Sequence, residues 1–344
     1  MKKRSVLNLI KYHVENNNYA FKTEAIEIAK EFDEAGDFQL AEYIMALVSD
    51  TNAFVPQSSV EDSCFLQKVS YSEKPLPLPL VISDDIKGII NAIGHNVGVN
   101  KFLLQGPPGT GKTESAKHIA RILERDLYSV DFSAVIDSKL GQTGKNITAL
   151  FREINGFPNP DKIVVLFDEL DALALDRTNG HDVREMGRAT SAFLRELENM
   201  SSQLILIATT NLFENFDKAM IRRFDSVIDF SRYSREDLLE IAEIILNSYL
   251  DQFKFAGRDT RLFNKIMKQM EDIPYPADLA NIIKTSIAFS NPDQEHDYLQ
   301  RLYKAVVNSE IPNVEQLRAE GYTLREIGIL TGVPKSTLSR ELRG

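Results

Sequence analysis

Apolar runs alternate with polar segments of helical spacing through the middle of the chain. Five of these runs predict strands, over residues 101–105, 127–131, 163–167, 204–208 and 227–230. The third reads Ile163-Val164-Val165-Leu166-Phe167, apolar at every position, which is typical of a parallel strand buried on both faces. Strands that alternate with helices predict an α/β fold, here a doubly wound parallel sheet of five strands. Ligands of such sheets bind at the carboxyl ends of the strands.

The pattern on either side of this sheet is helical. Residues 5 to about 50 show apolar positions at helical spacing and predict two or three short amphipathic helices. These helices either bind a partner or pack on the main domain. Beyond Ser234, helices are predicted near residues 259–272, 277–290 and 296–309, and together they predict a helical lid.

The 344 residues are enough for two or three domains, and these patterns divide them further. The predicted segments are a helical N-terminal module, a proline-containing linker, an α/β nucleotide-binding domain, the helical lid and a C-terminal tail, over residues 1–50, 51–80, 81–232, 233–310 and 311–344.

The clearest chemical signal follows the first predicted strand. Residues 106–113 read Gly-Pro-Pro-Gly-Thr-Gly-Lys-Thr and fit G-x-x-x-x-G-K-[ST], the phosphate-binding loop of nucleotidases. Its glycines let successive backbone amides face the β-phosphate, while Lys112 reaches the β- and γ-phosphates and Thr113 holds Mg²⁺. A glycine-rich turn that binds nothing would not need the Lys-Thr pair. The residues predicted to bind the nucleotide are Gly106, Pro107, Pro108, Gly109, Thr110, Gly111, Lys112, Thr113, Glu114 and Asp168.

Polar residues follow the next buried strands. Asp168 and Glu169 end the third strand, where Asp168 would bind Mg²⁺ through a water and Glu169 would orient and deprotonate the attacking water. Asn211 ends the fourth strand and can present its amide to the γ-phosphate or the water. Alone, an acidic pair or an asparagine in a loop is common, and it is the phosphate-binding loop that favours the catalytic interpretation.

Two arginines precede the fifth strand. Arg222 and Arg223 are either a surface pair that makes weak salt bridges or a source of positive charge for the transition state of phosphoryl transfer. Their place in the order of motifs favours the catalytic role, as arginines supplied in trans.

Composition limits the partners and the cellular compartment that we expect for the protein. The net charge of −10 argues against nucleic-acid binding over the whole surface, although a local basic patch is compatible with it. Cys64 is the single cysteine, so the sequence contains neither an intrachain disulfide nor a cysteine-cluster metal site. The apolar run after the basic start is too short for a signal peptide, and no run reaches membrane-span length. We therefore expect a cytoplasmic protein with no membrane partner.

The order G-P-P-G-T-G-K-T, L-F-D-E-L-D, T-T-N and A-M-I-R-R-F-D resembles the AAA+ ATPases. Within them it is most similar to the clade of FtsH, katanin and the proteasomal ATPases, over roughly residues 81–289. The resemblance implies a homo-oligomeric ring, usually a hexamer, with ATP and Mg²⁺ bound between subunits. It implies that Arg222 and Arg223 act on the neighbour's nucleotide. The residues it implies to act in cis are Lys112, Thr113, Asp168, Glu169 and Asn211.

The same resemblance extends to the edges of the site. Pro276-Ala277-Asp278-Leu279 is similar to the start of this clade's lid helix, which lacks the sensing arginine of other clades. Asp84-Ile86-Gly88 lies where the family frames adenine by backbone contacts.

One departure concerns the pore. Ser138 to Thr143 match the family's first pore loop, with Lys139, Leu140 and Gly141 as its core, but Lys139 stands where protein-threading members carry an aromatic residue. A lysine cannot grip any polypeptide by apolar contact, although it can pair with phosphate or acidic side chains. Either the ring remodels its target without threading, or Lys139 contacts a charged substrate.

The tail from 323 to 340 resembles a helix-turn-helix. Gly328 would let two helices cross closely, and Gly332 would make the turn. The tail either binds DNA or packs on the ring as a helical hairpin. The residues predicted to face the major groove are Lys335, Ser336, Thr337, Ser339 and Arg340.

Three functions follow from these observations. The first is an ATPase that remodels a protein substrate or activates a partner enzyme, for which a subtilase-type protease is a family-level suggestion. The second is a DNA-associated ATPase, a regulatory, mobile-element or phage-defence factor that uses residues 312–344. The third is an ATP-bound scaffold without turnover, which the presence of both Asp168 and Glu169 disfavours.

Overall fold

The computed structural model of the protein describes most of the chain, in two compact units over residues 1–64 and 65–344. The described residues are 3–14, 18–34, 37, 40–41, 44–45, 64–71, 77–95, 97–136, 142–173, 183–216, 218–307, 309–334 and 337–338.

The described residues of the first unit include helices α1 (Lys3–Val14) and α2 (Asn18–Glu34). The Asn8 side chain donates a hydrogen bond of 3.0 Å to Glu24, which joins the two helices. Ile28 is buried, whereas Leu7 on α1 is 67% exposed. Helices expected in this region are therefore present over residues 3–14 and 18–34.

The second unit is built on a six-stranded sheet, with strand order β1-β3-β4-β5-β2-β6. Neighbouring strands are parallel except β1, which is antiparallel to β3. The strands span Leu66–Val69 (β1), Lys101–Gln105 (β2), Asp126–Val130 (β3), Ile163–Phe167 (β4), Ile205–Thr210 (β5) and Ser226–Asp229 (β6). The five parallel strands are those that the sequence predicts, which confirms the α/β class.

Strand β1 corrects two expectations, the count of five strands and the linker over residues 51–80. Its four residues pair with β3 in the register Leu66 to Val130, and Lys68 forms a 3.0 Å ion pair with Asp126 of that strand. Only Leu66 in this strand is buried, because an edge strand covers one face. Four residues with one buried side chain are too weak a pattern for sequence analysis to identify.

Helices cover both faces of the sheet, as a doubly wound fold requires. On one face, Ile86 of α3 and Ile119 of α4 share a hydrophobic cluster with Leu166 of β4. On the other, the rings of Phe151 (α6) and Phe193 (α7) lie 5.8 and 5.6 Å from the ring of Phe167. The helices of this part span Leu80–Gly94 (α3), Lys112–Ile122 (α4), Phe132–Val135 (α5), Gln142–Asn155 (α6), Val183–Glu198 (α7) and Lys218–Ile221 (α8).

The helical lid follows β6. It begins with a capping box at Ser234, whose hydroxyl and backbone amide exchange hydrogen bonds with Asp237. Its helices span Arg235–Leu250 (α9), Thr260–Met267 (α10), Pro276–Ala288 (α11) and Asp297–Val307 (α12), in the regions predicted as helical.

The tail is not the separate unit that the sequence analysis expects. Its helices, α13 (Val314–Ala319) and α14 (Leu324–Thr331), place Leu317, Ile327 and Leu330 in the same hydrophobic cluster as the lid helices. The buried carboxylate of Glu326 accepts a 3.0 Å bond from Lys265 of α10, and Gln300 of α12 donates to the Ile329 carbonyl at 2.7 Å. Two helices this short cannot bury a core of their own, so they complete that of the lid.

Within the described part of the chain, none of the helices combines the length and the apolar character that crossing a bilayer requires.

Candidate nucleotide site

The glycines of the phosphate-binding loop adopt conformations that other residues avoid. Gly109 and Gly111 have φ of 80° and 91°. A Cβ at Gly106 would lie 3.1 Å from the carbonyl carbon of Phe230, so the loop also needs a glycine for close packing. Gly111 is the residue that precedes α4, and the loop therefore leads directly into a helix N-terminus, an environment that favours anions.

Lys112 is buried at the centre of the loop. Its ammonium donates to the carbonyl oxygens of Gly106 and Pro107 at 2.7 Å each, and to the Asn211 amide oxygen at 2.8 Å. Burial lowers its pKa to about 8, even though the carboxylates of Asp168, Asp171 and Glu169 act in the opposite direction. A cation desolvated in this way interacts strongly with a phosphate group.

Asp168 accepts hydrogen bonds from two threonines. Thr113 at the start of α4 donates to its Oδ1 at 2.8 Å, and Thr209 at the end of β5 donates to the same oxygen at 2.6 Å. The residues predicted to hold the metal are therefore in contact. The role of Thr209 was missed by the sequence analysis, although the residue stands in the T-T-N motif.

Glu169 has a left-handed backbone, with φ of 54°, which is uncommon for a residue other than glycine. Its amide donates to the Thr209 hydroxyl at 2.9 Å, and its side chain is exposed. One threonine thus fixes the carboxylate of Asp168 and the backbone of Glu169. Strain held by surrounding contacts is a common property of functional sites.

Asn211 lies between the loop and the acidic residues. Its side-chain oxygen faces Lys112, and its backbone amide donates to Asp171 at 3.3 Å. Asp171, which is 8% exposed, is a second contact that the sequence analysis did not assign. Asn211 is thus positioned from both its backbone and its side chain.

Two contacts reach the loop from the lid side of the molecule. The Tyr233 hydroxyl donates to the Thr110 carbonyl at 2.6 Å, and the Ala277 amide donates to the Gly109 carbonyl at 3.1 Å. No local motif marks Tyr233, so the sequence pattern does not predict this contact.

Arg222 and Arg223 lie at the edge of the sheet opposite to the phosphate-binding loop. They precede β6, and the Asp225 amide bonds to the carbonyl of Lys101, the first residue of β2. The loop begins at the opposite end of β2, roughly 15 Å away at the rise of a strand. Both side chains are exposed, and Arg223 forms a 2.6 Å ion pair with Glu198.

The residues expected to frame adenine lie on one helix. Asp84, Ile86 and Gly88 lie inside helix α3, where backbone groups are used by the helix itself. Ile86 is buried, and the other two residues line a cleft between α3 and β6. Whether this helix frames a base stays a prediction.

Several predicted residues fall outside the described part of the chain. These are the pore-loop residues Lys139, Leu140 and Gly141, and the tail residues Lys335, Ser336, Ser339 and Arg340. Thr337 is described and exposed.

The oxygen donors of Thr113 and Asp168 fit Mg²⁺, a hard cation that is usually held by one or two protein oxygens together with waters and substrate phosphates. Consistent with this sparse type of site, the described residues contain no group of three His, Cys, Asp or Glu side chains that could hold a metal ion.

Comparison with known families gives one extended match. Residues 102–232 match the model of the ATPase family associated with various cellular activities (AAA). This range contains the loop, both acidic residues, Asn211 and the arginine pair.

Relatives of known sequence and structure agree with this match. An uncharacterized AAA family ATPase, y4kL of Sinorhizobium fredii, is 39% identical over 133 residues, which are 39% of each chain. The proteasome-activating nucleotidase of Methanococcus maripaludis is 31% identical over 175 residues, 49% of this chain and 41% of that protein. The chain thus spans about two fifths of these curated relatives.

A solved structure shares the fold. A chain of the E. coli MS115-1 HORMA:CdnC:Trip13 complex superposes with a TM-score of 0.56 and 20% identity, over 72% of this chain and 95% of that chain.

Proposed function

We propose that this chain, whose residues 102–232 match the AAA ATPase family, is an ATPase of the AAA clade that hydrolyses ATP to ADP and phosphate in a homo-oligomeric ring and remodels protein substrates. The observation that carries the proposal is the meeting of four side chains at the carboxyl edge of the sheet. They are Lys112, Thr113, Asp168 and Asn211.

In the proposed reaction, the amides of residues 106–113 and the Lys112 ammonium bind the phosphates. Thr113 and Asp168 would hold Mg²⁺, which would neutralise charge on the phosphates. Glu169, exposed beside Asp168, orients a water and takes its proton. Asn211 and Thr209 position Lys112 and the two acidic residues.

The arginine pair supports a site that is shared between subunits. Arg222 and Arg223 precede β6 and lie roughly a strand's length from the loop of their own chain. An arginine there cannot reach its own nucleotide, but a subunit packed against this side of the molecule would receive it. We therefore assign both arginines to the neighbour's nucleotide, in a ring that we propose to be a hexamer.

A protein target, or a partner enzyme that the ring activates, agrees with the relatives. The archaeal relative is named for activating the proteasome. A subtilase-type protease is the partner enzyme that the family resemblance suggests. With Lys139 in place of an aromatic residue, we propose remodelling without continuous threading.

DNA association is the competing function, and the turn of the tail is compatible with it. A Cβ at Gly328 would lie 3.1 Å from the Val333 carbonyl and 3.8 Å from the Leu338 side chain, so this glycine permits the close helix crossing of a helix-turn-helix. Gly332 ends α14 with φ of 71°. The groove-facing residues would be Lys335, Ser336, Thr337, Ser339 and Arg340.

The experiment that tests both functions is capture with the Glu169→Gln variant. We expect it to bind ATP without turnover and to hold its target, whereas Lys112→Ala binds no nucleotide and captures nothing. The captured material is identified as protein or DNA by protease and nuclease treatment. Full turnover by Glu169→Gln would contradict the role of Glu169.

Point substitutions test the DNA alternative better than deletion of residues 312–344. Leu317, Ile327 and Leu338 belong to the core of the lid, so the deletion would also damage the ATPase. Arg340→Ala and Lys335→Ala should weaken a salt-sensitive gel shift if the tail reads DNA. An unchanged shift would remove this alternative.

A further inference from the structure

The phosphate-binding loop is held by two hydrogen bonds that begin outside it. Tyr233, in the segment between β6 and α9, donates to the Thr110 carbonyl at 2.6 Å. Ala277, in the first turn of α11, donates its amide to the Gly109 carbonyl at 3.1 Å. Both acceptors lie in the part of the loop that precedes Lys112.

These bonds determine where two loop amides point. A trans peptide is planar, so the carbonyl of one residue and the amide of the next point in opposite directions. When Tyr233 holds the Thr110 carbonyl, the Gly111 amide must face away from Tyr233. Ala277 fixes the Thr110 amide in the same way through Gly109. Both amides belong to the group that binds phosphate in this type of loop.

Tyr233 also connects the two parts of the second unit. Its ring packs against the hydrophobic cluster of the sheet, which includes Ile82 and Phe230, and against that of the lid, which includes Leu238. The ring of Tyr275 lies 5.7 Å away in an edge-on arrangement. Burial raises the pKa of Tyr233, so the hydroxyl remains a donor at neutral pH.

We infer that Tyr233 is a positioning residue for nucleotide binding, whose hydroxyl orients the Gly111 amide towards the β-phosphate and makes this orientation depend on the position of the lid. The inference rests on the proposed function as an ATPase. Movement of the lid away from the loop would withdraw both donors and weaken the hold on a β-phosphate.

The test compares ADP with AMP, which lacks the β-phosphate. We expect Tyr233→Phe to raise the dissociation constant of ADP about five-fold, the effect of losing one hydrogen bond, and to change that of AMP less than about two-fold. The phenylalanine ring retains the packing on both clusters. Turnover at saturating ATP should change less than the KM, because the bond is made with bound ground state and transition state alike.

Tyr298→Phe is the matched control. Its hydroxyl donates to the Gly257 carbonyl at 2.9 Å inside the lid, and its removal deletes the same type of bond away from the loop. In this variant, the ratio of the dissociation constants of ADP and AMP should be that of the original protein. Because the ratio is measured within each variant, a smaller folded fraction would affect both ligands equally and leave it unchanged.

Two outcomes are distinguishable. If Tyr233→Phe keeps the original ADP-to-AMP ratio while Lys112→Ala loses ADP binding, the inference is overturned and the ATPase function stands. If Lys112→Ala also binds ADP normally, the proposed function itself fails.

Discussion

A single hydroxyl, that of Thr209, links the two acidic residues of the site. It donates to Asp168 at 2.6 Å and accepts from the Glu169 amide at 2.9 Å, and the residue is 2% exposed. Asp168 and Glu169 therefore depend on a side chain from the neighbouring strand for their positions. Residues that orient metal ligands in this way commonly affect activity as strongly as some ligands do.

We therefore expect Thr209→Val, which keeps the branched shape, to lower ATP turnover about 10- to 100-fold. Binding of ATP should change far less, because Lys112 and the loop remain intact. Steady-state phosphate release and equilibrium nucleotide binding measure the two quantities.

Thr285→Val provides the control for this substitution. The Thr285 hydroxyl donates only to the Asn281 and Ile282 carbonyls of its own helix. Normal turnover in Thr209→Val, or an equal loss in both variants, would contradict the role assigned to Thr209.

At the scale of elements, the tail and the lid are joined by a buried carboxylate. Glu326 on α14 is 6% exposed and accepts from Lys265 of α10, which also donates to the Gly321 carbonyl at 2.6 Å. Burial by itself raises the pKa of Glu326, but hydrogen bonds from Thr323 and Lys265 outweigh it and hold the pKa below its ordinary value.

This shift has a defined consequence for stability against pH. A carboxyl whose pKa is depressed by folding contributes stability that is present above its unfolded pKa, about 4.3, and is lost as the pH falls through the folded pKa. We expect Glu326→Gln to lower the free energy of unfolding at pH 7 by about 1–3 kcal/mol. The difference from the original protein should shrink at acidic pH, as denaturant melts at a series of pH values would measure.

Glu310→Gln is a suitable comparison. Glu310 also pairs with a lysine, Lys304, at 2.5 Å, but its side chain is 86% exposed. Such a pair contributes little, so this variant should unfold like the original protein at every pH. An equal effect of both substitutions would contradict the buried pair as the cause.

At the scale of the whole molecule, the loop and the arginine pair lie at opposite ends of β2. In the ring that we propose, a complete site needs two copies of the chain, one supplying the loop and the other the arginines. The exposed side chains of Arg222 and Arg223 are compatible with a contact across subunits.

Mixing two inactive variants tests this arrangement. A Lys112→Ala subunit retains its arginines, and a subunit with Arg222→Ala and Arg223→Ala retains its loop. We expect each variant to be inactive alone and the mixture to recover part of the turnover. In the mixture, some subunit interfaces combine the intact loop of one variant with the intact arginines of the other.

The control mixture combines Lys112→Ala with Glu169→Gln. Both substitutions affect the half of the site that a single subunit provides. A subunit with an intact loop lacks Glu169, and a subunit with Glu169 lacks an intact loop, so turnover should stay absent. Recovery in this control, or none in the test mixture, would contradict a shared site, as would a monomer that is fully active when saturated with ATP.

The sequence by itself determined the features that depend on neighbouring residues. The parallel strands follow from continuous apolar runs such as residues 163–167, and the loop follows from eight consecutive residues that begin at Gly106. Asp168 and Asn211 were predictable because the carboxyl ends of parallel strands meet at one edge. Strand β1 was not predicted, because a short edge strand with one buried side chain leaves no recognisable apolar pattern.

Only the tertiary structure decided which distant residues support the site. Tyr233 and Thr110 are 123 positions apart, and Thr209 and Asp168 are 41 apart, so no local pattern connects them. The same holds for the packing of the tail against the lid. It depends on the contact between Glu326 and Lys265, which are 61 positions apart. Contacts of this kind arise when separate elements pack together, and periodicity describes each element alone.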